Sequence, residues 1–169
     1  MIIGLTGYAQ SGKDTVANIL TKKYGFERRA FADNVRKVLY DLDVHGVRDV
    51  VDLIGWDRAK QIQGIRQLLQ NVGVAARTHI DEQVWISAVL RTLNKETNYV
   101  ITDVRFVNEA SAIKAMDGKV WRVYRLGIGP VNNHISETEL DKISPDKIVL
   151  NSSGFDGLEK QIDNFINEF

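Results

Sequence analysis

Nine consecutive residues near the N-terminus carry the clearest chemistry: Gly7-Tyr8-Ala9-Gln10-Ser11-Gly12-Lys13-Asp14-Thr15, a G-x-x-x-x-G-K-D-T pattern. The apolar run Ile2-Ile3-Gly4-Leu5-Thr6 precedes them, and a helical pattern opens at Lys13. Glycine at each end lets the backbone curl, so that successive N–H groups converge on phosphate oxygens. A helix starting at Lys13 aims the positive end of its dipole at the same anion. Lys13 adds a full charge beside a transferring phosphoryl group, which marks it as a catalytic candidate. Strand, loop and helix in this order are the context a phosphate-binding loop requires. The plainer alternative is a glycine turn between a strand and a helix. Gly7, Ala9, Gln10, Ser11, Gly12, Lys13, Asp14 and Thr15 are the expected triphosphate contacts.

One position departs from the usual form of such a loop. Serine or threonine normally follows the lysine and holds magnesium; here the residue is Asp14. A carboxylate is a hard oxygen ligand for Mg2+, directly or through water, and an acid in the first helical turn is equally well explained by the dipole. A second acid, Asp103, ends the apolar run Val100-Ile101-Thr102. At the carboxyl edge of a parallel sheet it stands where a second acid meets the metal shell, or it caps the next turn. Asp14 and Asp103 are the metal candidates. Lys13-Asp14-Thr15 also resembles the Lys-x-Thr ending of nucleoside monophosphate kinases such as adenylate kinases.

These groups need a scaffold, and the hydrophobic pattern supplies one. Val16, Ile19, Leu20 and Tyr24 predict a helix over 13–24, followed by a second strand over 26–31 and a helix over 34–42. A short helix is expected near 50–54. Ile65, Leu68, Leu69 and Val72 form one stripe on a helix over 58–72, and Trp85, Val89 and Leu93 another over 81–94. Strands follow at 99–102, 119–126 and 147–150, with a helix over 108–116. Residues 127–145 contain Gly127, Gly129, Pro130 and Pro145 and read as a mobile excursion with a short helix at 136–142. The last helix packs through Leu158, Ile162, Phe165, Ile166 and Phe169. Short apolar strands separated by helices predict one α/β domain over 1–169. The expected architecture is a three-layer P-loop NTPase fold with a five-stranded, mostly parallel sheet in the order 2-3-1-4-5. Tyr8 and Trp121 read as packing residues.

Composition narrows the function classes. The chain has 169 residues, 44% hydrophobic, with 22 basic and 22 acidic side chains, enough for a proper core. Charge balance argues against a non-specific nucleic-acid or polybasic membrane binder. No cysteine is present, so disulfides and cysteine zinc sites are excluded. No stretch approaches a membrane span, and Met1-Ile2-Ile3 opens a strand rather than a targeting segment. A soluble, cytoplasmic protein is the expectation, with no nucleic acid and no membrane as partners.

Further blocks carry a family resemblance. Asp103-Val104-Arg105-Phe106-Val107-Asn108-Glu109-Ala110 resembles the D-V-R-F-x-N-E-A signature of the phage deoxynucleoside monophosphate kinases. Phe31-Ala32-Asp33 with Arg36 is similar to that family's F-A-D-x-x-K segment, with arginine replacing lysine. Arg66-Gln67-Leu68-Leu69-Gln70, Gly73 and Arg77 resemble R-x-L-L-Q-x-x-G and its following arginine, with Trp85 downstream. His134-Ile135-Ser136-Glu137 resembles H-x-S-E, and Asn151 matches the asparagine after the last strand. The blocks run across nearly the whole chain, and their combination is specific although each alone is not.

The resemblance implies transfer of the γ-phosphoryl of ATP, with Mg2+, to a deoxynucleoside monophosphate for DNA precursor synthesis. It also implies acceptor-binding helices over about 34–80, a lid over 127–145 carrying His134, Ser136 and Glu137, and a host's cytoplasm if the chain is phage-encoded. Asp33, Arg36, Arg66, Gln70, Arg77, Trp85, Arg105, Asn108 and Glu109 become the expected acceptor residues. Arg77, Arg105 and Asp103 join Lys13 as expected catalytic groups, and Arg125 and Asn151 join the ATP site. Arginine forks suit phosphate oxygens, although any one of them is as readily a solvated side chain. Gln70 and Asn108 offer paired donors and acceptors for a base edge, or are surface polar groups. Glu109 caps its helix, orients an arginine or meets the sugar. Arg125 reaches the ATP or pairs with an acid. A homodimer stays open. Two other readings stand beside this one: a different small-molecule P-loop kinase, such as a dephospho-coenzyme A kinase, and a nucleotide-gated binding module without transfer. Asn94-Lys95-Glu96-Thr97 lacks the aspartate of a guanine-reading motif, which disfavours a GTPase.

Overall fold

β1 (Ile2–Thr6) is buried at every position, as a strand covered on both faces must be. It is the middle strand of a sheet completed by β2 (Glu27–Arg29), β3 (Tyr99–Ile101), β4 (Lys119–Tyr124) and β5 (Lys147–Leu150). All the pairings are parallel and the order is β2-β3-β1-β4-β5, the order expected from the sequence. The register sets Thr6, the last residue before the glycine loop, beside Arg122 of β4. The computed structural model describes residues 1–130, 135–152 and 154–168. In chain order the helices are α1 (Lys13–Tyr24), α2 (Ala32–Leu42), α3 (Val47–Ala59), α4 (Gln63–His79), α5 (Val84–Leu90), α6 (Val107–Ala115), α7 (Ile135–Thr138) and α8 (Gly154–Asn167).

The chain divides into two compact units, Met1–Ala30 with Leu93–Phe169, and Phe31–Thr92. In the first, α1 and α8 pack on the sheet through Val16, Leu20, Leu158 and Ile162 against Ile3, Leu5, Trp121 and Val123. Trp121 is fully enclosed, and Phe165 meets its ring edge-on with centroids 5.5 Å apart. α6 approaches β1 closely at Gly4, where an added Cβ would lie 2.7 Å from Ile113 Cδ1 and 2.9 Å from Val104 Cγ2. A side chain there would have to displace Ile113 and Val104. Phe169 lies outside the described residues.

The second unit is helical, with Val47, Val51, Ala59 and Ile65 as its core and Tyr40, Trp56, Leu68 and Leu69 packed around them. Here the sequence expectations need correction. The predicted helix over 58–72 is divided: α3 ends at Ala59, and α4 starts at Gln63 and continues to His79. Gly55, at φ 75° and ψ 159°, interrupts the helical spiral of α3. The turn after it is closed by N–H groups of Lys60, Gln61 and Ile62 donating to the carbonyls of Trp56, Arg58 and Ala59, each at 3.0 Å. Apolar spacing marks the buried stripe on both sides of such a break but not the break. The predicted helix over 81–94 shortens to Val84–Leu90, because Asp81 takes the Gln83 N–H on its carboxylate at 2.8 Å and the Val84 N–H on its carbonyl at 3.0 Å. That turn delays the first helical residue. The second strand likewise contracts to Glu27–Arg29. Among the described residues no helix is long and apolar enough to cross a membrane.

Candidate nucleotide-binding site

The loop between β1 and α1 is built from left-handed backbone. Gly7, Gln10 and Gly12 have φ of 136°, 64° and 107°, values that side chains tolerate poorly and glycine adopts freely. The curl is tight. A Cβ on Gly7 would stand 2.4 Å from the Val123 carbonyl oxygen, and one on Gly12 2.3 Å from Asn151 Nδ2. The Ser11 N–H donates to the Tyr8 carbonyl at 3.2 Å, and the Val16 N–H to Gly12 at 3.1 Å. Gly12 is the N-cap of α1 and brings no capping side chain, so first-turn N–H groups remain for an anion.

Lys13 folds back over this loop. Its ammonium donates to the carbonyls of Gly7 and Tyr8, each at 2.7 Å. Within the loop Ser11 is 1% exposed, and Thr6, just before it, is fully buried. Neither hydroxyl has a hydrogen-bond partner among the described residues, although buried hydroxyls ordinarily find one. Asn151 stands on the other side of the loop. Its amide donates to the Ser11 carbonyl at 2.9 Å, and its backbone N–H donates to Tyr124 at 2.8 Å.

Asp103 follows β3, and the chain beyond it stays tied to β1 through the Val104 N–H and the Leu5 carbonyl at 3.0 Å. Glu109 is 4% exposed, and its Oε2 accepts the backbone N–H groups of Arg105 at 2.7 Å and Phe106 at 3.1 Å. Of the roles open to Glu109 in the sequence, the capping one is present here: it closes the Asp103–Phe106 turn and starts α6. Arg105 and Asn108 flank that cap and are half-buried. Arg125 follows β4 with an exposed side chain.

Asp14 lies exposed in the first turn of α1 and has no hydrogen bond or ion pair with described residues. Among the described residues no three His, Cys, Asp or Glu side chains gather into a metal cage. Mg2+ seldom uses such cages; it is held by one or two carboxylates together with phosphate oxygens and water. The chemistry of Asp14 and Asp103 beside a phosphate loop fits that donor set.

The other expected acceptor residues belong to the Phe31–Thr92 unit. Arg66, Gln70 and Arg77 recur on α4 at spacings that place them along one face. The Arg66 Nη2 donates to Gln61 Oε1 at 3.1 Å, and Arg77 and Gln70 are half-buried. On α2, which packs against α4, Arg36 Nη1 donates to Asp33 Oδ1 at 2.9 Å, while the buried Arg36 Nε has no hydrogen-bond partner among the described residues. Trp85 is 8% exposed and spends its indole N–H on the Gly73 carbonyl at 2.9 Å, which joins α5 to α4. His134 and the side chains of Ser136 and Glu137 lie outside the described residues.

Sequence reasoning missed one group. Tyr8, read as a packing residue, donates its hydroxyl to Asp141 Oδ2 at 2.5 Å. Arg122 donates to the other oxygen of the same carboxylate. The Tyr8–Asp141 bond spans 133 positions, and no local pattern signals it.

A parallel sheet in this order, with a glycine-rich phosphate loop between its central strand and the following helix, defines a P-loop nucleotide-binding protein. A sequence profile of the deoxynucleotide monophosphate kinase family matches residues 41–162. A protein of Acanthamoeba polyphaga mimivirus, provisionally named a deoxynucleotide monophosphate kinase, is 31% identical over 169 residues, 89% of this chain and 87% of its own. The chain belongs to the deoxynucleotide monophosphate kinase family, and with it to the nucleotide kinases, which are phosphotransferases. Because the profile match begins after the glycine loop, the loop is a line of support independent of it. TT1252 from Thermus thermophilus shares the fold, with a TM-score of 0.50 at 14% identity over 100% of this chain and 97% of its own. Dephospho-CoA kinase from Campylobacter jejuni superposes at 0.49 with 16% identity, over 99% of this chain and 96% of its own, too loosely to support an argument.

Proposed function

We propose that this kinase moves the γ-phosphoryl group of ATP to a deoxynucleoside monophosphate, giving ADP and the deoxynucleoside diphosphate. The observation that carries the proposal is the phosphate loop itself, with Lys13 resting on the Gly7 and Tyr8 carbonyls at the mouth of an uncapped helix. A phosphate oxygen offers that ammonium a pairing between full charges, which neither carbonyl does.

An oxygen of the acceptor phosphate forms the new bond to the γ-phosphorus as the bond to the β,γ-bridging oxygen breaks, and ADP leaves with that electron pair. The acceptor phosphate has a second pKa of about 6 and is already largely ionised at neutral pH. No strong general base is required. The task is to bring two polyanions together and neutralise the charge between them. Lys13 and first-turn N–H groups of α1 serve the donor, and Arg105 after β3 serves the transferring group. Arg36, Arg66 and Arg77 serve the acceptor phosphate, with Gln70 and Asn108 offered to the base. Asp14 and Asp103 would hold Mg2+, directly or through water, and the bound ion supplies charge neutralisation on the phosphate oxygens.

The test is an ADP-release assay with ATP and magnesium, offering dTMP, dGMP, dCMP and dAMP separately, then the ribonucleotides and dephospho-coenzyme A. Lys13→Ala serves as the blank. Turnover dependent on a deoxynucleotide and lost in the variant supports the proposal. Turnover with dephospho-coenzyme A alone overturns the acceptor, and ATP binding without transfer to any acceptor leaves a nucleotide-gated binding module.

A further inference from the structure

Tyr8 occupies the first variable position of the phosphate loop, and its two polar ends face different tasks. Its backbone carbonyl accepts the Lys13 ammonium at 2.7 Å and the Ser11 N–H at 3.2 Å. Its hydroxyl donates to Asp141 Oδ2 at 2.5 Å. The same carboxylate accepts Arg122 Nη2, and the Arg122 guanidinium carbon lies 5.9 Å from the Tyr8 ring centroid. Both supports are themselves fixed. Arg122 is in β4, in register with Thr6 of β1. Asp141 belongs to a 3-10 turn, Glu139–Lys142, held by Leu140 and Ile143, which are 1% and 3% exposed. The Tyr8 hydroxyl, with Arg122 beside it, keeps the Asp141 carboxyl below the usual aspartate range, so the acceptor is ionised at neutral pH.

We propose that Asp141 is a positioning residue for nucleotide binding: it fixes the Tyr8 side chain, and through the Tyr8 carbonyl it sets the pose of Lys13. The proposal rests on the reading that this loop takes the phosphates of ATP. It also ties the turn after α7 to the loop, so that a displacement of that turn is felt at Lys13. A purely structural purpose fits the geometry less well. The Asp141 side chain is 52% exposed, and exposed ion pairs add little to global stability. What two side chains bonded to one carboxylate do provide at such a place is a fixed orientation.

The test uses the full chain and two readouts, equilibrium titration with a fluorescent ATP analogue and thermal unfolding. Tyr8→Phe deletes one hydrogen bond and keeps the ring. Asp141→Ala deletes the acceptor, and Asp141→Asn keeps an acceptor oxygen without its charge. Tyr8→Phe and Asp141→Ala are each expected to weaken ATP binding about three- to tenfold, less than a lost direct hydrogen bond to the ligand because the effect reaches ATP only through the loop. The double variant should be no worse than Asp141→Ala alone, Asp141→Asn should recover part of the loss, and Tm should hardly move. In turnover, KM for ATP should rise while KM for the acceptor stays level. Unchanged ATP affinity with a lowered Tm would show a merely structural contact and overturn the proposal, as would fully additive effects of the two changes. ATP binding by the wild type without deoxynucleotide turnover would defeat the proposed acceptor and leave this inference to be judged by affinity alone. Failure of the wild type to bind ATP would overturn both.

Discussion

The side-chain amide of Asn151 donates to the Ser11 carbonyl at 2.9 Å, joining residues 140 positions apart at the mouth of α1. Its backbone is anchored to β4 through Tyr124, so the amide acts as a fixed bracket on the loop. Asn151→Ala should free the Ser11–Gly12 peptide and weaken ATP binding about tenfold, roughly 1.4 kcal/mol. Asn151→Asp should be worse than alanine, since a carboxylate would face the Ser11 carbonyl oxygen and add negative charge beside a triphosphate. Isothermal titration with ATP gives the order of the three proteins, and an aspartate variant that binds better than alanine would contradict the bracket.

Gly7 and Gly12 differ in what a methyl group would strike. At Gly7 the obstacle is the backbone carbonyl of Val123 at 2.4 Å, and φ is 136°. Gly7→Ala is therefore expected to cost roughly 2–4 kcal/mol in urea unfolding, because β4 itself must shift. At Gly12, where φ is 107°, the obstacle is the Asn151 amide at 2.3 Å, a side-chain end that yields at the cost of its bond to Ser11. Gly12→Ala should cost less stability than Gly7→Ala and more ATP affinity, with the affinity losses of Gly12→Ala and Asn151→Ala less than additive.

Glu109 holds two backbone donors with one oxygen. Glu109→Ala removes the carboxylate that accepts the N–H groups of Arg105 and Phe106 and should cost about 1–3 kcal/mol, whereas Glu109→Gln keeps an acceptor and should recover much of it. If capping is its contribution, the glutamine variant retains a nearly wild-type KM for the deoxynucleotide. A large rise in that KM without loss of stability would show contact with the acceptor instead.

Trp85 was expected from the family resemblance among the acceptor residues, yet its indole N–H is committed to the Gly73 carbonyl. Trp85→Phe keeps most of the buried ring and leaves that carbonyl without its donor. A stability loss of about 1–2 kcal/mol follows, with acceptor KM changed less than twofold, on the order of 0.4 kcal/mol. Chemical unfolding and steady-state kinetics on one preparation separate the packing role from a binding one.

A clasp between α1 and α8 gives the fold an acid-sensitive point. Lys23 donates to Asp163 at 2.8 Å and to Glu159 at 2.9 Å, and the Tyr24 hydroxyl donates to Asp163. Lys23, with Tyr24 next in effect, holds the Asp163 carboxyl below its ordinary range. A depressed carboxylate contributes stability above its unfolded pKa of about 3.9 and loses it as pH falls through the folded value. Tm should therefore decline on acidification below about pH 4 less steeply in Asp163→Asn than in the wild type. Lys23 is raised by the same contacts, so its share is intact at neutral pH and is lost only in strong base.

Much of the fold was legible because it is written locally. Residues 2–5 are apolar, the pattern of a doubly covered strand, and the helix bounds 13–24 have glycines on both sides. The loop chemistry was legible for the same reason, since phosphate-cradling backbone needs glycine at fixed offsets within one short segment. The ends of α3, α4 and α5 were not, because Gly55 and the Asp81 turn break helices through dihedral angles and side-chain hydrogen bonds that leave the apolar stripe intact.

The parallel sheet, the phosphate loop and the family were readable from residue type at close spacing or from blocks kept in order along the chain, and the strand order came with the P-loop fold class. Which partners the polar side chains take was settled by the tertiary structure. Asn151 became a bracket on Ser11, Glu109 a cap, Trp85 a bolt between helices, and Tyr8 a tether to Asp141 and Arg122. Crossovers of a parallel sheet bring distant segments together at its carboxyl edge. Hydrogen bonds formed there depend on ångström-scale position, which residue spacing along the chain does not encode.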